Sequence, residues 1–162
     1  ASGHPVADAI RPMLVRRGIA PDIALGLIDA RRRALYQDRN QSEVEFELLA
    51  SETAGAVFHM AAQVLAAQVL GGALGDAVKH AAHHAGVAAL ASQVSPDGLS
   101  FDANALSERH RMAVKALLAT LPDTALPAFL PLALQVDGRA QLPQWRRQLI
   151  LWRASRNLAA WL

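Results

Sequence analysis

The chain has 162 residues, enough for one domain with a single hydrophobic core. Its 52% hydrophobic and 19% charged residues exclude an intrinsically disordered protein, and the lack of cysteine excludes disulfides, thiolate zinc sites and cysteine nucleophiles. The net charge of only +2, without a basic stripe, argues against nucleic acid as a partner. There are 34 alanines, and alanine is the strongest helix former, so the composition predicts one all-α domain over residues 1–162.

Glycine and proline divide the chain into about seven predicted helices, which we expect to pack as a single-domain antiparallel bundle. Gly18 ends the first helix, Pro21 opens the second, and Asp102 caps the fifth. Asn40 is the predicted N-cap of the third, with Glu43 completing a capping box. The predicted helices cover residues 5–17, 21–34, 41–70, 73–91, 103–120, a short stretch opened by Pro122, and 143–162.

The third predicted helix carries a regular stripe of apolar and small residues. We expect it to be the central and most buried element, with a close approach of a neighbouring backbone at Gly55. The members of the stripe recur at alternating spacings of four and three, the period of one helix face. They are Val44, Leu48, Ser51, Gly55, Phe58, Ala62 and Leu65.

Three histidines in the fourth predicted helix are candidates for metal binding. His80, His83 and His84 stand at i, i+3 and i+4, a spacing that lets imidazoles share one helix face and ligate zinc. No acidic residue lies between them, and the end of a helix favours partial positive charge without any metal. We therefore predict that the chain has no metal site. If it has one, these three histidines are the candidate ligands.

Glu43 and Glu47 stand four residues apart, a spacing at which two carboxylates can hold Mg²⁺. They also occupy the first turns of the third predicted helix, where the helix dipole favours acidic residues. We therefore interpret them as helix-start residues.

The last predicted helix, residues 143–162, has two apolar faces. One face carries Trp145, Leu149 and Trp152, and the other carries Leu151, Leu158 and Leu162. A helix on the outside of a bundle needs only one apolar stripe, so we expect the second to contact a protein partner, a second copy or a membrane surface. The alternative is that the short helix near Pro127 and Pro131 folds back over it.

The sequence indicates no transmembrane segment and no targeting peptide. No uncharged apolar run reaches the ~18 residues that a membrane-spanning helix needs. The first residues match neither a signal peptide nor a transit peptide and are typical of a chain that begins within a longer protein. We expect a cytoplasmic chain, peripheral at a membrane surface if the last helix makes that contact.

Several segments of the chain resemble the squalene/phytoene synthase family. In that family a His-Pro segment precedes a helix with a Leu-Ile pair, matched here by His4-Pro5 and Leu27-Ile28. A Val-Ala-Gly helix follows and is matched in part by residues 53–57 (TAGAV). The similarity covers roughly residues 3–91 and 121–162 and extends to the bacterial branch related to mitochondrial complex I assembly factors. It implies a partial isoprenoid-synthase-like fold.

The residues that carry catalysis in that family do not carry over to this chain. The family's enzymes condense two prenyl diphosphates with Mg²⁺ held by two aspartate-rich helices. The first of these would precede residue 1, and the second should follow residues 86–88, where residues 92–101 lack it. Glu52 stands where the family has an active-site tyrosine. The resemblance therefore implies no catalytic residue here, and Mg²⁺ only if the missing motifs are supplied elsewhere.

Three functions remain open on these observations. The leading one is a catalytically inactive squalene/phytoene synthase-like domain that binds an isoprenoid or lipid, because small side chains on the third helix leave room for a long apolar ligand. The residues expected to line that cavity are Glu52, Gly55, Phe58 and His59. The alternatives are a protein–protein scaffold or assembly factor, and the C-terminal fragment of an active prenyl-diphosphate transferase.

Overall fold

The computed structural model describes residues 5–36, 42–70, 75–95, 99–136 and 139–162. Within these ranges the chain forms seven α-helices and several 3₁₀ segments, and no strand. The predicted all-α bundle of about seven helices is confirmed. The helices are α1 (Pro5–Arg16), α2 (Pro21–Ala34), α3 (Glu43–Ala50), α4 (Ala56–Leu70), α5 (Asp76–Ala91), α6 (Ala103–Leu117) and α7 (Gln144–Ala154).

Local signals in the sequence place several helix ends correctly. Gly18 follows α1 with a φ of +62°, the left-handed conformation that glycine adopts without strain. Pro21 is the first residue of α2, where its missing N–H has no helical partner to lose. Asp102 accepts hydrogen bonds from the backbone N–H groups of Asn104 and Ala105 and so caps α6.

The cap of α3 lies two residues later than predicted. The backbone N–H of Glu45 donates to Ser42 Oγ at 3.3 Å, and the backbone N–H of Ser42 donates to Glu45 Oε2 at 2.9 Å. The second bond stabilises the charged carboxylate and lowers the pKa of Glu45. The capping box predicted for Asn40 and Glu43 is therefore wrong, because the Ser–Glu pair forms it instead; Asn40 itself lies outside the described residues.

α3 and α4 form one continuous helical stretch interrupted by a π turn (Ser51–Gly55). Such a turn inserts one extra residue, which rotates the preceding helix face by about 100° relative to the following one. α4 buries Phe58, as the predicted stripe requires. α3 instead buries Phe46, whereas Val44 and Leu48 are 75% and 59% exposed. The predicted stripe is thus correct at Gly55, Phe58 and Ala62, and it is wrong before the turn and at Leu65, which is 40% exposed.

α5 is the helix around which the described elements pack. Nine of its sixteen residues are buried, and it contacts α3, the π turn, α4 and α6. Its small side chains, seven alanines and one glycine, let neighbours approach from several sides. The prediction that residues 41–70 form the central, most buried element is therefore wrong.

A pair of glycines sets the distance between α5 and the π turn. A Cβ placed on Gly86 would lie 2.2 Å from the backbone N of Gly55 and 2.9 Å from the carbonyl O of Ala50. The two backbones therefore touch directly, and the close approach predicted at Gly55 is confirmed. At this crossing the small residues bring the two helical backbones into direct contact.

A larger core lies between α4, α5, α6 and the chain that follows α6. Phe129 is fully buried and stacks on Phe58, with ring centroids 5.9 Å apart. Phe129 belongs to a 3₁₀ segment (Leu126–Leu134) that contains Pro127 and Pro131, each of which lacks the N–H that an α-helix uses. The short sixth helix predicted from Pro122 is therefore a 3₁₀ segment that begins later.

The prediction of a single helix over residues 143–162 is wrong, because α7 ends at Ala154. Asn157 accepts a hydrogen bond from the backbone N–H of Ala160 and begins a separate 3₁₀ turn (Leu158–Ala160). An asparagine side chain that bonds to nearby backbone competes with continuation of the helix. The chain consequently changes direction after α7.

This change of direction buries the second predicted face against the segment that contains Pro127 and Pro131, so that alternative is confirmed and the external contact expected through Leu158 and Leu162 is wrong. Leu158 is buried in the core, and Trp161 and Leu162 pack against it. Trp145 and Trp152 of α7 stay exposed at 61% and 53%. Within the described ranges, no helix combines the length and the apolar character needed to cross a bilayer.

Candidate functional site

Six polar side chains meet where α3, α5 and α6 pack together. α3 provides two carboxylates, α5 provides two imidazoles, and α6 provides a guanidinium and a third imidazole. The six are Glu43, Glu47, His83, His84, Arg109 and His110. We call this set the His–Glu cluster.

Arg109 joins the two carboxylates of α3. Its guanidinium donates to Glu43 Oε1 at 2.6 Å and to Glu47 Oε1 at 2.9 Å. These bonds, the one to Glu43 above all, raise the pKa of Arg109. A cation that bound both carboxylates would have to displace this guanidinium, so both carboxylates are already engaged within the fold.

A hydrogen-bonded chain runs from Glu47 through His110 to His84. His110 Nε2 lies 3.0 Å from Glu47 Oε1, and His110 Nδ1 lies 3.0 Å from His84 Nδ1. A carboxylate accepts but does not donate, so we assign the proton to Nε2 of His110. The Nδ1 lone pair of His110 then faces His84. Only 5% of His110 is exposed, so packing holds this orientation.

Burial and mutual proximity keep His83 and His84 uncharged. The pKa of His84 is lowered to about 4, first by burial and then by the neighbouring His110 and His83. Burial, followed by His110, also lowers the pKa of His83. Burial would raise the pKa of Glu47, but hydrogen bonds from His110 and Arg109 outweigh it and lower that pKa. At neutral pH a charged carboxylate therefore stands near two neutral imidazoles.

The histidines that come together are not the predicted trio. One ring nitrogen from each of His83, His84 and His110 lies within 4.8 Å of the others. These three residues could hold a metal ion. His80 is exposed and does not belong to this group, because it lies about one turn earlier on α5.

Two residues of the predicted ligand cavity, Gly55 and His59, line a cavity of about 260 Å³ between α2, the π turn and α5. His59 is partly buried, and its Nε2 has no hydrogen-bond partner among the described residues. Burial, and then the charge of Lys79, lowers the pKa of His59. The neutral imidazole is therefore the form present at neutral pH.

The other two residues of the predicted cavity lie elsewhere. Glu52 lines a neighbouring cavity of about 320 Å³, where its 38% exposed side chain pairs with Arg33 of α2. Phe58 lies in the core against Phe129 and lines neither cavity. The structure thus brings Gly55 and His59 together, places Glu52 beside them and separates Phe58.

A further cavity of about 560 Å³ lies between α6, the 3₁₀ segment Leu126–Leu134 and the end of α7. We call it the C-terminal cavity. Its apolar lining includes Leu118, Ala119, Leu126, Pro127, Leu130 and Leu158. Two cationic side chains, Lys115 and Arg156, and one acidic side chain, Asp123, also line it. The cavity therefore combines an apolar interior with an excess of positive charge.

Reasoning from the sequence missed the C-terminal cavity and the α6 half of the His–Glu cluster. His110 shares the buried face of α6 with Ser107 and Val114, at spacings of three and four. A histidine on a buried stripe is a signal, because a buried polar ring needs a hydrogen-bond partner. The partner, Glu47, is 63 residues away, and no local pattern identifies it.

Comparison with known proteins supports the family resemblance. A model of the squalene/phytoene synthase family matches residues 1–94, more than half of the chain. The matched part contains α1 to α5, and with them the α3 and α5 side chains of the His–Glu cluster. No curated protein and no solved structure gives a significant match. The chain belongs to the squalene/phytoene synthase family.

Proposed function

We propose that this chain is a family member that does not condense prenyl diphosphates and instead binds an isoprenoid or another lipid with an anionic head group. The observation that carries the proposal is the C-terminal cavity, where apolar walls adjoin two cations. A prenyl phosphate has the matching division into a long hydrocarbon chain and a negatively charged end.

The size and lining of the C-terminal cavity suit such a ligand. Its volume of about 560 Å³ falls within the range of roughly 300–1,000 Å³ that is usual for ligand sites. Each CH₂ group buried against the apolar wall contributes about 0.8 kcal/mol. Arg156 stacks over the Trp152 ring at 4.0 Å, which helps to hold its guanidinium in place. Lys115 and Arg156 can then donate charge-assisted hydrogen bonds to a phosphate.

The distribution of carboxylates supports the absence of condensation. Condensation in this family requires Mg²⁺ on aspartate-rich helices to neutralise the diphosphate leaving group. Between residues 86 and 101, where the resemblance places the second motif, Asp97 is the single acidic residue. The carboxylates of Glu43 and Glu47 are already engaged by Arg109.

The lipid proposal predicts that filling the C-terminal cavity abolishes binding of a prenyl phosphate. Ala119 is exposed and lines the cavity, so an Ala119→Trp substitution should block it without disturbing the core. Farnesyl phosphate binding is measured by isothermal titration calorimetry. We expect at least a tenfold loss of affinity for Ala119→Trp, and a loss of about 10- to 100-fold for a Lys115→Gln, Arg156→Gln double variant, since charge-assisted hydrogen bonds disappear.

An Ala116→Trp variant is the matched control, because Ala116 is an exposed residue of α6 that does not line the cavity. It should bind farnesyl phosphate like the wild type. Absence of binding to the wild-type chain, or equal losses in both tryptophan variants, would contradict this location. In a separate assay with farnesyl diphosphate and Mg²⁺, condensed product would overturn the non-condensing assignment and favour an active transferase.

We further propose that the exposed face of α7 contacts an anionic membrane surface, from which the lipid reaches the cavity. Trp145, Leu149 and Trp152 are exposed on this helix. Residues 139–162 contain five arginines and no acidic residue, although the net charge of the whole chain is only +2. Tryptophan with arginine on an amphipathic helix is typical of interfacial segments.

The membrane proposal predicts co-flotation with vesicles of phosphatidylcholine and phosphatidylglycerol, and weak flotation with phosphatidylcholine alone. A Trp145→Ser, Trp152→Ser variant should lose most of this binding, because its apolar face is replaced. An Ala119→Trp variant should still float, since it changes the cavity and leaves α7 intact. The face would instead contact a second copy if the wild type sediments as a dimer, the double variant sediments as a monomer, and neither binds vesicles.

A further inference from the structure

We propose that His83, His84 and His110 form a binding site for a divalent transition-metal ion, with Zn²⁺ as the best match. The site lies between α5 and α6 and uses none of the carboxylates that hold Mg²⁺ in enzymes of this family. It is also independent of the C-terminal cavity, because none of the three histidines lines that cavity.

The spacing of the ring nitrogens is close to that of ligands around one ion. With zinc–nitrogen distances of about 2.0–2.1 Å, two ligands at a tetrahedral angle lie roughly 3.3–3.4 Å apart. The Nδ1 atoms of His84 and His110 are 3.0 Å apart, and the His83 nitrogen lies within 4.8 Å of both. A small rotation of the partly buried His83 ring would complete a three-nitrogen set.

The short distance between the two Nδ1 atoms requires a proton or a metal ion between them. Two lone pairs facing each other at 3.0 Å repel, so the atoms must share either a proton or a metal ion. Glu47 holds the proton of His110 on Nε2, so the Nδ1 lone pair of His110 points toward His84. A metal ion at this position replaces the shared proton without moving either ring far.

Glu47 supplies the support that histidine ligands of metals usually have. A carboxylate hydrogen-bonded to the distal nitrogen fixes the tautomer and orientation of the ligating ring and makes it a better donor. Glu47 Oε1 lies 3.0 Å from His110 Nε2 and is itself held by Arg109 at 2.9 Å. Glu47 is therefore a positioning residue for the site and does not need to touch the ion.

The donor set selects the class of metal. Three imidazole nitrogens suit borderline ions such as Zn²⁺ and Co²⁺, whereas Mg²⁺ and Ca²⁺ prefer oxygen ligands. A three-histidine site also leaves a fourth position, which water or an anionic ligand can occupy.

Metal titration of the full chain, prepared without a histidine tag and stripped with a chelator, tests this site. Calorimetry with Zn²⁺ should show one ion per chain, and Co²⁺ should give the visible absorption bands of a tetrahedral site. A His84→Asn or His110→Asn substitution should weaken Zn²⁺ binding more than tenfold and remove the Co²⁺ bands. His80→Asn, at an exposed position one turn earlier on the same helix, is the matched control and should change neither.

A Glu47→Gln variant tests the positioning role separately. It should weaken Zn²⁺ binding about 10- to 100-fold and shift the Co²⁺ spectrum, while the circular dichroism of the chain stays unchanged. If His110→Asn fails to fold, the His83→Asn and His84→Asn variants test the site by Zn²⁺ calorimetry and by the Co²⁺ absorption bands. The site does not exist if the wild type binds no stoichiometric Zn²⁺, or if the His84→Asn variant binds it as tightly as the wild type.

Discussion

Replacing Gly86 by alanine is expected to prevent the chain from folding stably. The added Cβ would lie 2.2 Å and 2.5 Å from the backbone N and Cα of Gly55, and 2.9 Å from the carbonyl O of Ala50. All three atoms belong to backbone, so no side chain can rotate away and the helices must separate. Overpacking of a core usually costs about 1–3 kcal/mol, and a backbone clash on the central helix should exceed this, to about 4 kcal/mol or more.

Urea unfolding followed by circular dichroism measures this loss. Gly26→Ala is the matched control, because Gly26 also lies inside a helix but has no atom within 4 Å of the place that an added Cβ would take. That variant should gain about 0.4–1 kcal/mol, since alanine restricts the unfolded chain more than glycine does. Gly55→Ala should fall between them, its nearest contact being the carbonyl O of Ala82 at 3.2 Å. An unfolding midpoint for Gly86→Ala equal to that of the wild type would contradict the direct backbone contact between Gly86 and Gly55.

The helix ends were predictable because the signals that set them are local. Gly18, Pro21 and Asp102 act through their own backbone or that of residues two or three positions away. The N-cap of α3 shows the limit of such signals, since two acceptable pairs compete within five residues. In the structure Ser42 and Glu45 form the box, and Glu43 is engaged by Arg109 instead.

The buried face of residues 43–70 was predictable only in part. A stripe with the period of an α-helix continues Phe58 backward through Gly55 to Leu48 and Val44. The π turn breaks that period by one residue, and it ends at Gly55, which packs directly against Gly86 of α5. The pattern of residues along one helix carries no information about this contact with another helix.

The candidate site could be predicted only on the α5 side. The pair His83 and His84 is visible in the sequence, and so is the carboxylate pair of α3. Their partners on α6, Arg109 and His110, are 62 and 63 residues from Glu47. The pattern of residues within one helix cannot identify partners at that separation. The same holds for the C-terminal cavity, which is formed by segments that are consecutive but turn back on each other after Pro127 and Asn157.

The metal-free protein is expected to lose stability as the pH falls from about 6.5 to about 4. The pKa of His84 is lowered from 6.5 to about 4 in the folded chain, by burial first and then by His110 and His83. Between these values the unfolded chain binds a proton that the folded chain rejects, so acid favours unfolding. Because the ring is partly exposed and solvent screens its neighbours, the loss attributable to His84 is on the order of 1–2 kcal/mol.

The charges of the neighbouring imidazoles lower the pKa of His84, and the charge of Glu47 opposes them more weakly. On α5 itself, His83 has a lowered pKa and adds to the loss, and the charges of His83 and His80 both oppose protonation of His84. From α3, the pKa of Glu47 is held below 4.5 by His110 and Arg109, so its contribution is present above 4.5 and disappears at lower pH. The acid transition should therefore begin with the imidazoles and continue with the carboxylate.

Urea midpoints measured at pH 7, 6, 5 and 4 with a chelator present separate these contributions. A His84→Gln variant should lose less stability than the wild type between pH 6.5 and 4, because it lacks the group whose pKa differs most between folded and unfolded chains. His80→Gln, a change of the same kind at an exposed position of α5, should keep the wild-type slope. If the urea midpoints of the wild type and of His84→Gln fall equally with pH, the His84 ring accepts a proton in the folded chain. The His–Glu cluster would then be more accessible to solvent than its contacts indicate.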